Sequence, residues 1–305
     1  MPMNASGSSL ASENARASLL MTGAMACFAL NDMMVKTLSA SMEAPQIMAL
    51  RGVIVSCLLI ALGLQQGVLR PLSRLRHRAV LLRTLADILT TISYISALKH
   101  LSLGNASAIF QALPFTITIG AALFLGESVG WRRWVAIAVG FVGVLVILRP
   151  ATDGFNTYAV WVLISVVFAA MRDLVTRRMP TSISSLQVAT VTSIAVAITG
   201  FLMLPAVGWS PVSGASWLIL LCGAFAIGAG YIMIVASMRV GDMSFVAPFR
   251  YSILIFAMAL GALVFEERPD GFEILGSLIV VGSGAYTIHR EGVARRAART
   301  GSTGP

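Results

Sequence analysis

Four charged residues stand where charge is costly. Asp32, Arg51, Asp87 and Arg250 each interrupt an apolar run long enough to cross a lipid bilayer. An ionisable group at the bilayer centre costs at least about 2.5–3.5 kcal/mol on insertion scales, so a retained one marks a solute path, a proton relay or a buried pair. At about 1.5 Å of rise per residue, Asp32 and Arg51 fall roughly 8–9 Å in from one face, and Asp87 and Arg250 roughly 10–12 Å in from the other. Depth therefore allows two ion pairs, Asp32 with Arg51 and Asp87 with Arg250, which would tie helices together or serve coupling. A desolvated carboxylate also takes up a proton readily, which makes Asp32 and Asp87 the candidates for proton coupling.

Aromatic, amide and proline residues accompany these charges. Asp87, Thr90 or Thr91, and Tyr94 follow the i, i+3 or i+4, i+7 spacing that lines one helical face. Tyr94 precedes Gly104 by ten residues, and Tyr231 precedes Gly241 by ten. Matched tyrosines can stack on a solute or hydrogen-bond it; they serve equally as buried structural groups. Pro114 and Pro248 sit within apolar runs, where a proline leaves the carbonyl four residues back without its donor. In lipid such breaks persist only where they face protein or a wet cavity, and interrupted helices in matching positions of two halves are the best sequence pointer to a transport site. Gln111 and Arg250 place donors beside them. The substrate-binding set expected from sequence is Asp87, Tyr94, Gln111, Pro114, Tyr231, Pro248, Arg250 and Tyr251. The coupling or ion-pair set is Asp32, Arg51 and Asp87.

These residues belong to a segment written twice. ALKHLSLGNASAIFQALPFTITIGAALFLGE from Ala97 is echoed by ASMRVGDMSFVAPFRYSILIFAMALGALVFEE from Ala236. Gly104-Asn105-Ala106-Ser107 matches Gly241-Asp242-Met243-Ser244, and each run ends on a glutamate, Glu127 or Glu267. The glutamates lie slightly farther apart in sequence than the glycines, so one copy carries about one extra helical turn within the run. A repeat at half the chain length indicates a duplicated architecture, not a solenoid. Both glutamates read as structural groups at helix ends.

The elements that position these groups follow from composition. The chain of 305 residues is 57% hydrophobic and 11% charged, against about 25% charged in a soluble domain. Its solvent is the bilayer. Ten apolar runs meet the length of about 20 residues that a span requires: about 18–38, 46–66, 79–98, 103–125, 131–148, 157–177, 185–205, 216–238, 243–265 and 271–289. The first has no small-x-small site before Asn31-Asp32 and reads as a span, not a cleaved signal. Spans three and six are the weakest, because they hold Arg83 with Asp87 and Arg172 with Asp173. Of the 22 Lys and Arg residues, sixteen fall on the side of the N-terminus, four (Lys36, Lys99, Arg149 and Arg268) on the other, and Arg51 and Arg250 within spans. The positive-inside rule then places both termini in the cytoplasm, and five spans per half make the second half an inverted copy of the first.

The formal charge of +9 therefore reads as topogenic arginine beside anionic headgroups, not as a nucleic-acid surface. Cys27, Cys57 and Cys222 lie within spans as small packers, and no cysteine or histidine spacing suggests a metal or other cofactor. Ala136, Gly140 and Gly143, with Gly276, Gly282 and Gly284, read as close helix packing.

The ten spans, the duplicated GNAS…Pro…LGE and GDMS…Pro…FEE segments, and APFRYS from Ala247 to Ser252 resemble the drug/metabolite transporter superfamily, and within it the EamA-type group. The resemblance covers residues 18–289. It implies an all-α membrane protein of two inverted five-helix repeats, 18–149 and 150–289, between a cytoplasmic tail 1–17 and a basic cytoplasmic tail 290–305. It further implies a central cavity lined by spans one, three, four, six, eight and nine, with five and ten peripheral. The expected function is secondary transport of a small polar metabolite, such as riboflavin, S-adenosylmethionine or an amino-acid-like solute, across the bacterial inner membrane, with protons as a coupling ion and a homodimer as an allowed assembly. Export of drugs or amino acids is the alternative. An integral-membrane enzyme is a remote one: no HExxH, nucleophile elbow or phosphate-binding glycine loop occurs, and His77, His100 and His289 are scattered.

Overall fold

Apolar runs of this length have one stable form in lipid, the helix that satisfies its own backbone. The computed structural model describes residues 5–67, 77–127, 129–149, 156–180, 183–240 and 243–301, and its regular structure is helical throughout. Spans one to three are α1 (Ala5–Ser39), α2 (Ala44–Gln65) and α3 (Arg78–Leu98). Span four is two helices, α4 (Leu103–Phe110) and α5 (Leu113–Leu125), and spans five to eight are α6 (Trp131–Leu148), α7 (Tyr158–Arg177), α8 (Ser185–Val207) and α9 (Gly214–Val240). Span nine has three pieces: α10 (Met243–Val246), a 3₁₀ stretch Ala247–Tyr251, and α11 (Ser252–Phe265). Span ten is α12 (Gly271–Gly301), whose backbone continues as helix past residue 289. Nine helical segments among the described residues are long and apolar enough to cross a membrane, and Gly271–Thr287 is a shorter apolar helix. The arginine-rich loop from Arg70 to Arg76, the turn at Pro150, Asp153 and Gly154, and the Gly241–Asp242 part of the repeated motif lie outside the described residues.

Local chemistry sets the helix ends. His77 caps α3, its Nδ1 accepting from Ala79 N at 3.2 Å, and the Ser102 hydroxyl caps α4 by accepting from Asn105 N at 3.2 Å. Ser184 and Gln187 form a reciprocal capping box at α8. Both prolines lie just inside the start of a new segment, Pro114 in α5 and Pro248 in the 3₁₀ stretch, where the missing N–H costs nothing. The result is a full break in each run, sharper than the kinks the prolines alone predict. The extra residues of the second copy are accommodated in the 3₁₀ stretch, since the joint in the first copy is only Gln111 and Ala112.

The main packing partners are α1 with α9, α3 with α7, α2 with α8 and α6 with α12. In spans these are one with eight, three with six, two with seven and five with ten. Exchanging the halves maps this set onto itself, which is the packing signature of an inverted repeat. Every one of these contacts joins the two halves, so their interface is the core of the bundle. Small residues allow the closest approaches: a Cβ on Gly143 would lie 2.9 Å from the Gly276 carbonyl oxygen, so α6 and α12 meet backbone to backbone. Gly140 instead receives the fully buried ring of Phe115 and Gly284 receives Tyr251, whereas Gly282 faces open space and takes no part in close packing.

Candidate functional site

The polar residues of the spans converge in the middle of this interface. Asp87 and Tyr94 lie two turns apart on one face of α3. The Tyr94 hydroxyl donates to Asp32 Oδ2 on α1 at 2.9 Å, and Asn31 Nδ2 donates to Asp32 Oδ1 at 3.0 Å. Tyr94 is held edge-on by Phe110, the last residue of α4 before the break, with ring centroids 5.2 Å apart. Arg51 on α2 is the electrostatic neighbour of Asp32, Tyr231 and Asp87. It makes no direct bridge to Asp32 among the described residues, so the Asp32–Arg51 pair expected from sequence is a through-space one.

The Asp87–Arg250 pair is not formed. Asp87 Oδ1 accepts from Arg172 Nη1 on α7 at 2.8 Å, and Arg172 Nε donates to its neighbour Asp173 at 2.9 Å. Arg83, one turn below Asp87, donates to Thr176 Oγ1 at 3.1 Å and Thr192 Oγ1 at 2.8 Å. The physical reason lies in span nine. The 3₁₀ stretch rotates successive side chains differently from an α-helix, leaving Arg250 exposed while Tyr251 turns inward and is only 5% exposed. Tyr251 packs against Gly284 of α12 with its hydroxyl unpartnered among the described residues.

The threonines also differ from expectation. Thr90 and Thr91 donate to the Ala86 and Asp87 carbonyls of their own helix, each at 2.8 Å, so those donors are occupied within α3. Tyr231 on α9 is 59% exposed, rests edge-on against Phe28 at 5.4 Å, and is an electrostatic neighbour of Arg51, Arg83 and Arg172. Gln111 and Pro114 form the joint of span four, where Gln111 N bonds the Ser107 carbonyl at 3.1 Å. Pro248 forms the joint of span nine.

Asp32, Arg51, Asp87, Tyr94, Arg172, Asp173, Arg83 and Tyr231 thus come together from α1, α2, α3, α7 and α9, and the Arg250 end of the 3₁₀ stretch does not join them. Three arginines face three aspartates, so the cluster balances when all are ionised. It offers charge, hydrogen bonds and an aromatic face, and it lacks a nucleophile held by a base. Among the described residues no three His, Cys, Asp or Glu side chains gather as a metal site. Sequence reasoning missed Arg172, Asp173 and Arg83 as site residues. The signal was present: spans three and six remain apolar enough to cross lipid while carrying opposite charges.

The EamA-like transporter family profile matches residues 15–149 and again 156–288. An S-adenosylmethionine uptake transporter of Rickettsia prowazekii is 24% identical over 264 residues, covering 86% of this chain and 88% of the relative. A riboflavin transporter of Rhizobium johnstonii is 31% identical over 214 residues, covering 69% and 70%. A pseudopaline exporter of Pseudomonas aeruginosa is 28% identical over 262 residues, covering 83% and 89%. A solved crystal structure superposes with a TM-score of 0.59 at 21% identity over 92% of this chain and 98% of its own, which shows a shared fold.

Proposed function

This chain belongs to the EamA-like transporter family, a multi-pass membrane transporter and not an enzyme, and from that premise we propose that it carries a small polar organic metabolite across the bacterial inner membrane by alternating access. The observation that carries the reading is the charge-balanced cluster of Asp32, Arg51, Asp87, Arg172 and Tyr231 at the interface of two inverted halves. Such a cluster suits a solute with both an anionic and a cationic group, because each end finds an opposite charge and no lone charge stays buried. An exposed tyrosine adds a stacking face for a ring. Riboflavin, S-adenosylmethionine and amino-acid-like solutes are the classes to test first. Arg172 and Arg51 hold the anionic part in this reading, Asp87 and Asp32 the cationic part, and Tyr231 the ring. Both termini face the cytoplasm, as the arginine bias requires.

The test is flux into proteoliposomes from a panel of labelled metabolites, with riboflavin, S-adenosylmethionine and amino acids as the first three arms. Saturable uptake of one of them that collapses on Arg172→Gln supports the reading. Uptake that neither saturates nor responds to Arg172→Gln would overturn it. Imposing a pH gradient in either sense then separates proton coupling from exchange and assigns direction, which similarity to both uptake and export proteins leaves to measurement.

A further inference from the structure

The two halves end their fourth spans alike. α5 stops at Gly126 with φ 68° and α11 at Glu266 with φ 56°, both left-handed. Glu127 N then bonds the Ala121 carbonyl at 3.2 Å, and Glu267 N bonds the Gly261 carbonyl at 3.1 Å. Donor, acceptor and left-handed residue all keep one register between the halves, so Glu127 and Glu267 leave matching caps at opposite ends of the bundle. Each glutamate reaches a cation that ends the first span of the other half: Glu267 pairs with Lys36 of α1, and Glu127 with Arg177 of α7. Lys36 and Arg177 fall within one residue of that same register.

The two pairs are equivalent by symmetry and unequal in state. Lys36 and Glu267 are only 13% and 16% exposed and in direct contact. Glu267 Oε2 also accepts from Leu103 N at 2.8 Å, tying the start of α4 to the end of α11, and Lys36 donates to the Leu101 carbonyl and lies 5.1 Å over the Phe265 ring. At the other end Arg177 and Glu127 stand 3.7 Å apart, beyond a good hydrogen bond, and are 54% and 52% exposed. One end is drawn together around a buried ion pair, and its symmetry mate holds a longer, exposed one beside the bond from Arg178 Nη2 to the Phe124 carbonyl at 2.8 Å.

We propose that these pairs are the two gate latches of the transport cycle, tightened alternately, and that this conformation has the Lys36–Glu267 end tightly latched and the Arg177–Glu127 end weakly latched. With the termini in the cytoplasm the weakly latched end faces inward. The proposal rests on the transporter reading and concerns different residues from the solute cluster. Each latch joins the halves, so tightening one as the other loosens is the rocking motion that alternating access demands, and a ligand-free shift between the two states is set by their relative strength.

The test needs no solute. In a variant lacking Cys27, Cys57 and Cys222, Arg177→Cys with Glu127→Cys reports tightening of the weakly latched end through its rate of oxidative cross-linking in native membranes. Adding Glu267→Gln releases the tightly latched end, and the cross-linking rate should rise roughly ten-fold, the scale of one charged hydrogen bond in an equilibrium. Lys36→Met should act like Glu267→Gln, and Lys36→Arg should leave the rate near its starting value. Monodisperse elution of each variant separates a shifted equilibrium from misfolding. An unchanged rate in monodisperse Glu267→Gln and Lys36→Met proteins overturns the latch. If the rate responds and no metabolite on the panel is transported, the latch stands and the proposed cargo falls. If flux is found and the rate does not respond, the latch falls alone.

Discussion

Arg172 carries the largest share of the central cluster, and its removal gives the sharpest test of the geometry. Arg172→Gln deletes two charge-assisted bonds, to Asp87 at 2.8 Å and to Asp173 at 2.9 Å, and leaves two carboxylates without their cation. Bonds to charged groups contribute about 1.5–3 kcal/mol each, and breaking a fully buried pair costs about 3–5 kcal/mol. Neither limit applies unreduced. The Arg172 and Asp87 side chains are 23% and 21% exposed, so water screens them, and hydrogen bonds between membrane helices average only about 0.6 kcal/mol. The expected loss is therefore about 2 kcal/mol, between the membrane average and the buried limit. Reversible unfolding in mixed detergent micelles would measure it. Asp87→Asn alone should cost less, because Arg172 keeps Asp173 at 2.9 Å, and the double variant should recover about 1–1.5 kcal/mol of the summed loss. A coupling energy below about 0.5 kcal/mol would refute the argument. Transport supplies a second readout. A carboxylate that only carries a proton loses gradient-driven accumulation on Asp87→Asn and keeps counterflow exchange. The partner of Arg172 loses both.

Three further outcomes follow from local contacts and a fourth from the arginine bias. Tyr94→Phe removes the 2.9 Å donor to Asp32 and should cost about 1–2 kcal/mol of unfolding free energy; no loss would place Asp32 on another partner. Gly143→Ala drives a Cβ to 2.9 Å from the Gly276 carbonyl oxygen and should destabilise by about 1–3 kcal/mol through overpacking of α6 on α12, a shift that thermal unfolding resolves. Asp270 caps α12, and its hydrogen bond from Arg149, with backbone donors from Glu273 and Phe272, holds its carboxyl below the usual range. Because the folded value is depressed, its stabilisation is present above about pH 4 and is lost as pH falls through the lowered value. Asp270→Asn should therefore be weaker than the parent chain by about 0.5 kcal/mol at neutral pH and equal to it near pH 2, since the pair is half-exposed. For orientation, Ser210→Cys should react with an impermeant maleimide in intact cells and Ser73→Cys should not; labelling of residue 73 would invert the topology.

What the sequence revealed follows from which physical constraints are one-dimensional. Bilayer thickness acts on run length alone, so the ten spans, the duplicated segment and the helix breaks at Pro114 and Pro248 were legible within a few residues. Tyr94 was legible as a polar residue on the face of Asp87, because period 3.6 acts within one helix. Partner choice is different, because it depends on the azimuth of two helices about their axes, and depth says nothing of azimuth. Asp87 and Arg250 lie at matching depths by residue count, yet the aspartate points at α7. Arg172 was passed over for the same reason: counted by depth alone it lay near a span end, where arginine is topogenic. The breaks compound the error. Depth by residue count assumes the rise of an α-helix. The stretch from Ala247 to Tyr251 is 3₁₀, which climbs farther per residue and turns more tightly.

The same difference in joint length explains why two halves of one plan need not behave identically. In the first half Gln111 and Ala112 bridge α4 and α5 as a tight joint, and Phe110 beside it presses its ring on Tyr94, next to Asp32. In the second half the extra residues lengthen the joint, turn Arg250 outward and bury Tyr251 against α12. A duplicated helix break has thereby been put to two uses, one supporting the central polar cluster and one fastening span nine to span ten. The glutamate caps beyond the breaks keep their common geometry, Gly126 and Glu266 both left-handed, although a glutamate in that conformation costs about 1–2 kcal/mol that a glycine does not. The cap therefore holds against an unfavourable residue. That is the behaviour of a position fixed by what it presents next, the glutamate that meets Lys36, and not by local propensity.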